Sequence, residues 1–119
     1  MSEHIKGISG VVVDSADPAA LAAFWQRLLG GEVEVDADGD AVLHGLPVEL
    51  VFVRVPEAKT GKNRLHLDLG SSDLAVAVAD AIAAGATRAD DVHRGERWVV
   101  LRDPEGNEFC VLRPGVGAL

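Results

Sequence analysis

The sequence predicts an α+β fold made of two tandem β-α-β-β-β units, and three observations carry that prediction. His66-Leu67-Asp68-Leu69, followed by a helix-start signal at Asp73, echoes Gly10-Val11-Val12-Val13 followed by one at Asp17, and the shift is 56 residues in both comparisons. Glu49-Leu50-Val51-Phe52-Val53-Arg54 matches Glu108-Phe109-Cys110-Val111-Leu112-Arg113 at a shift of 59. Short runs of alternating or β-branched residues, broken by Gly, Pro and Asp, surround two stretches with helical apolar spacing. Two copies of one such unit have to cover each other's apolar faces. The concave space between paired sheets is then the expected place for a ligand.

Each element follows from its own residues. Residues 8–14 are small and β-branched and read as the first strand. Asp17-Pro18 is a helix start, with Asp as N-cap and Pro in the first turn. Leu21, Phe24, Trp25, Leu28 and Leu29 recur at helical spacing and predict a buried stripe. Gly30-Gly31 ends that helix. Strands are expected at 32–35, 41–44 and 48–54, with turns at Asp38-Gly39-Asp40 and Gly45-Leu46-Pro47. Residues 56–63 form a polar connector between the halves, unit one covering about 8–55 and unit two about 64–113. Residues 64–69 open the second unit as a strand. Ser72-Asp73 caps an alanine-rich helix that reaches about Ala84 and closes at Gly85. Strands at 87–91, 97–102 and 107–112 complete the unit, the last two joined by the turn-forming run Asp103-Pro104-Glu105-Gly106-Asn107.

At 119 residues the chain is expected to form one domain, residues 1–119, large enough for a real core. No apolar run approaches the roughly 20 residues of a membrane span. Met1-Ser2-Glu3-His4 does not read as the start of a secretory signal. Cys110 is the only cysteine, which excludes an internal disulfide and fits a reducing, cytoplasmic setting. Eleven basic against nineteen acidic residues give a net charge of -8, with five aromatic residues and no basic stripe. Nucleic acid would be repelled, so it is not an expected partner. No phosphate loop, paired-cysteine motif or Gly-x-Ser-x-Gly elbow is present.

Taken together, these residues resemble the vicinal oxygen chelate superfamily, which includes glyoxalase-like domains, bleomycin-resistance-type binding proteins and extradiol dioxygenases. The likeness rests on the Asp17-Pro18 helix with Phe24-Trp25 and Leu28-Leu29-Gly30, on Leu65-His66-Leu67-Asp68-Leu69, and on the 103–107 turn. It runs from about Ile8 to Leu112. It implies a curved, funnel-like mixed sheet with helices outside, a ligand within, and a homodimer. Metal-dependent members place ligands on the first and last strands of each unit, which the resemblance maps to Gly10, about Val51, His66 and Cys110. Glycine and valine carry no side-chain donor, and two protein ligands fall short of the three that catalytic zinc sites keep. Glu49 and Glu108, two positions before Val51 and Cys110, are the recruits a shifted register would offer. The expectation is therefore no metal and no cofactor.

Strand alternation assigns the faces. With His66 toward the funnel, Asp68 joins it and Leu65, Leu67 and Leu69 turn to the helices. The same rule sends Gly10, Val12 and Asp14 inward on the first strand, and Glu108, Cys110 and Leu112 inward on the last. The expected ligand-binding set is thus Asp14, Glu49, His66, Asp68, Trp98, Glu108 and Cys110. Clustered carboxylates attract cations and suit recognition of an amine. Imidazole, with a free pKa of about 6.5, makes His66 the catalytic residue if there is one. Cys110 reads as a small buried apolar residue, Trp25 as core, and Trp98 as either core or pocket. His4, His44 and His93 read as solvated.

The leading functional expectation is a metal-independent small-molecule binding protein that holds an organic ligand, cations included, in an acidic funnel. The alternative is a metal-dependent lyase, isomerase or dioxygenase using His66 with Glu49 or Glu108. A third reading is a domain that binds another protein through a sheet edge.

Overall fold

In the computed structural model, which describes residues 1–91 and 97–116, the chain divides into two compact units, Met1–Glu57 and Ala58–Leu119. Each repeats the β-α-β-β-β order. The first contains β1 (Gly10–Ser15), α1 (Pro18–Leu29), β2 (Glu32–Val35), β3 (Ala41–His44) and β4 (Glu49–Arg54). The second contains β5 (Leu67–Leu69), α2 (Leu74–Ala84), β6 (Thr87–Arg88), β7 (Trp98–Arg102) and β8 (Glu108–Leu112). Among the described residues no helix is long and apolar enough to cross a membrane.

The first unit is a four-stranded mixed sheet in the order β1-β4-β3-β2. β1 runs parallel to β4, and the other pairings are antiparallel. The α1 crossover makes that parallel pair possible. Its start is the predicted one: the Asp17 carboxylate accepts from the Ala20 N–H at 3.3 Å, and Pro18 occupies the first turn. Gly30 ends it with φ 76°, a conformation that suits glycine. Leu21, Phe24 and Trp25 are buried as the spacing predicts, with Phe24 and Trp25 edge to face at 5.3 Å. They share the core with Ala41, Leu43, Leu50 and Phe52, the alternate residues of β3 and β4. The opposite sheet face carries Val12, 62% exposed, with Glu34 and His44.

The second unit repeats the plan in the order β5-β8-β7-β6, with β5 parallel to β8. Asp73 caps α2 by accepting from the Val76 N–H at 3.1 Å, and Gly85 closes it by donating to the Ala81 and Ile82 carbonyls. Val78 and Ala81 of α2 are buried with Leu101, Phe109 and Val111 of the sheet. Both sequence shifts reappear as hydrogen-bond register. The parallel pair Val12↔Val51 becomes Asp68↔Cys110, 56 and 59 residues later.

Two strands of the second unit differ most from the sequence reading. β5 begins at Leu67 rather than residue 64, because its ladder with β8 starts at the Leu67↔Phe109 pair. Leu65, expected to face the helices, is 81% exposed, and His66 also lies outside the ladder. β6 stops at Arg88, and the chain then turns through Asp91.

Candidate functional site

The seven sequence-predicted residues divide between the units. Asp14 and Glu49 are in the first; His66, Asp68, Trp98, Glu108 and Cys110 are in the second. Asp14 sits exposed near the end of β1. Glu49 is already engaged, its carboxylate 2.6 Å from Nδ1 of His44. The other ring nitrogen of His44 lies 3.0 Å from Glu34. His44, read from sequence as solvated, therefore bridges two carboxylates across three neighbouring strands. The Glu34 hydrogen bond, followed by the one to Glu49, raises its pKa above the ordinary imidazole value.

In the second unit the open sheet face forms as alternation requires. Asp68 and Cys110 are direct partners across β5 and β8, which sets the carboxylate beside the thiol. Desolvation, then the charge and hydrogen bond of Asp68, push the Cys110 thiol up to about 11, partly offset by the Lys62 charge. A thiol so shifted is a poor nucleophile at neutral pH. The face of Trp98 follows from register. Trp98 is opposite Leu112 and Val100 is opposite Cys110, so Trp98 shares the Cys110 face and is half-buried there.

Glu108 shares that face but is only 4% exposed. The connector before β5 folds back over it. The Asn63 N–H donates to its carboxylate at 2.7 Å, Lys59 lies at 3.2 Å, and the Arg102 Nε at 3.3 Å. Burial pushes the carboxyl up, but these three donors outweigh it and hold it below the usual carboxylate range. Arg102 also grips Asp91 bidentately at 2.8 and 2.9 Å, which lowers the Asp91 pKa and raises that of Arg102.

His66 is exposed, and its Nε2 lies 2.8 Å from the Lys62 ammonium. Lys62 also reaches the Asn63 carbonyl at 3.4 Å. Between the connector and the β7–β8 hairpin lies an open cleft of about 560 Å³. It is lined by Lys59, Thr60, Gly61 and Lys62 on one side and by Asp91, Arg102, Glu105, Gly106 and Glu108 on the other.

A divalent metal does not suit the residues that the resemblance assigns to it. Gly10 and Val51 offer no donor. The possible recruits Glu49 and Glu108 are taken up by His44 and by Lys59, Arg102 and Asn63. Among the described residues no three His, Cys, Asp or Glu side chains come together in a way that could hold an ion.

Sequence reasoning missed His44, Lys59, Lys62 and Asn63, and one signal could have found the first. Val42↔Val51 and Val100↔Cys110 align β3 with β7, so His44 stands where Arg102 stands, 58 residues apart. Each repeat thus sets a cation against the glutamate that opens its last strand. The connector contacts leave no trace in periodicity. His93 lies outside the described residues.

The family model of the glyoxalase-like domain matches residues 10–112. No curated protein matches the chain in sequence. Solved structures agree in fold. One is a glyoxalase/bleomycin resistance protein/dioxygenase family enzyme from Burkholderia phytofirmans, 23% identical, covering 87% of this chain and 94% of that one, with a TM-score of 0.69. Another is a glyoxalase/bleomycin resistance protein from Albidiferax ferrireducens, at 24% identity, 90% and 98% coverage and a TM-score of 0.67. A third is a mutant of the fosfomycin resistance protein FosX from Listeria monocytogenes, complexed with Mn(II) and 1S,2S-dihydroxypropylphosphonic acid. It is 13% identical, with 94% and 93% coverage and a TM-score of 0.75.

Proposed function

The chain belongs to the glyoxalase-like domain family, and from that membership we propose that it is a metal-independent binding protein for a small organic molecule. The ligand lies against the open face of the second unit, touching Asp68, Cys110 and Trp98, with His66 at its edge. The observation that carries this reading is the Asp68–Cys110 pair. Where the resemblance implies a metal ligand, this chain sets the Cys110 thiol beside Asp68, its register partner on β5. Such a pair offers a hydrogen-bonding surface to an organic ligand. FosX is described with Mn(II), a metal that this reading does not assign to the present chain. Glu49 and Glu108, two of the four carboxylates expected to attract a cation, are engaged, which leaves Asp68 for that role on the second unit's face. The reading places the protein in the cytoplasm as a homodimer, in keeping with its single free thiol and the exposed Val12 on an edge strand.

The test is elemental analysis of untagged protein purified without chelator, followed by a thermal-shift screen of organic molecules. The expected outcome is less than about a tenth of a metal ion per chain, no change of Tm with EDTA, and hits that shift the Asp68 and Cys110 amides in NMR spectra. Near-stoichiometric zinc, iron, nickel or manganese, lost with EDTA together with stability, would overturn the reading.

A further inference from the structure

The cleft beside the connector has charges that do not cancel in the same way throughout. Asp91, Glu105 and Glu108 line it and would repel an anion, but Arg102 holds Asp91 bidentately and shares Glu108 with Lys59, and Glu105 stands on the hairpin wall opposite Lys62. Among the described residues Lys62 makes no ion pair with a carboxylate. Its ammonium lies 2.8 Å from Nε2 of His66 and 3.4 Å from the carbonyl of Asn63. Lys62 is exposed and lines the cleft, so its charge faces that space. Next to it Thr60 adds a hydroxyl, and at Gly61 a Cβ would meet nothing within 4 Å, so the wall has room for a ligand atom. A chain of net charge -8 disfavours anions at long range, so any anion it takes needs a local cation of this kind.

We infer that Lys62 is the charge partner of an oxyanion, a carboxylate or phosphoryl group carried by a small organic molecule, bound in this cleft with Thr60. His66 is a positioning residue for the ammonium. The inference rests on the binding reading and names the ligand's chemical class. A ligand anchored at Lys62 would extend past His66, which Lys62 contacts, toward the Asp68↔Cys110 pair on β5 and β8.

The experiment is a titration of the full, isotope-labelled chain with sodium phosphate at constant ionic strength, observed by amide NMR, with benzoate as the carboxylate probe. Saturable shifts of Thr60, Gly61 and Lys62 are expected. Lys62→Gln should weaken binding about tenfold or more, as loss of one charge-assisted hydrogen bond requires, and Lys62→Arg should restore most of it. Lys6→Gln, 56 positions earlier, should change nothing. Shifts that persist unchanged in Lys62→Gln, or that never saturate, overturn the inference. An organic hit on Asp68 and Cys110 that ignores both Lys62→Gln and competing phosphate also overturns it, while leaving the binding reading in place. Saturable phosphate binding lost in Lys62→Gln supports it even where the organic screen finds no ligand and the wider reading fails.

Discussion

His44 and Arg102 hold one place in two copies of the same plan, and the company they keep is the same in kind. Each stands on the third strand of its unit and contacts the acid that opens the fourth, Glu49 or Glu108. Each also meets a second acid, Glu34 or Asp91. The difference lies in what covers them. Residues 1–9 leave Glu49 half exposed, whereas the connector before β5 closes over Glu108. A buried carboxylate needs a counter-charge that is always present, and guanidinium supplies it because it does not lose its proton. Where both acids still face water, an imidazole suffices even though it titrates. The clamp recurs in both units, and the residue that closes it differs with burial.

The largest effect expected anywhere in either unit comes from its core rather than its clamp. Phe52→Ala and Phe109→Ala, 0% and 1% exposed, should each cost about 3 to 5 kcal/mol in denaturant unfolding. Similar losses would show the two cores to be equally committed, and a loss below about 1 kcal/mol at one of them would break the symmetry. Next comes the clamp acid itself. Glu108→Ala leaves Lys59 and Arg102 facing an emptied, water-poor site and should cost on the order of 3 kcal/mol. Glu49→Ala should cost clearly less by the same unfolding measurement, because Glu49 is solvated. Equal losses would mean that the cover over Glu108 is irrelevant.

The smallest effect is the most specific, because the two clamps should fail at opposite ends of the pH scale. The folded-state pKa of His44 is raised, so its contribution is full below about 6.5 and is lost as pH rises through the raised value. The pKa of Glu108 is lowered, so its contribution is present above the ordinary glutamate value and is lost as pH falls through the depressed one. Tm measured against pH should therefore decline as pH rises above the ordinary imidazole value in the wild type and decline less in His44→Arg. An unchanged slope in that variant would show that His44 is not the group responsible.

The sequence made the repeat legible because apolar periodicity and cap residues are local, and the two shifts of 56 and 59 reappear as strand register. It also paired Asp68 with Cys110 on one face, since alternation needs only a strand and a parity. What it missed depends on contacts across the chain. Lys59 and Asn63 meet Glu108 from 49 and 45 residues away, and nothing in a polar connector signals where it will fold. The three residues missing from the start of β5 show the same limit. Alternation from His66 presumed a ladder that begins only at Leu67. His44 was readable in principle, by carrying the repeat from its strands to its charges.

The Cys110 thiol has a consequence for the protein's chemistry over time. With its pKa near 11, roughly one chain in ten thousand carries the thiolate at pH 7. Oxidation to sulfenic acid and alkylation both proceed through that minor form. The chain's single sulfhydryl therefore ages slowly in air, and its alkylation rate should rise about tenfold per pH unit through the neutral range.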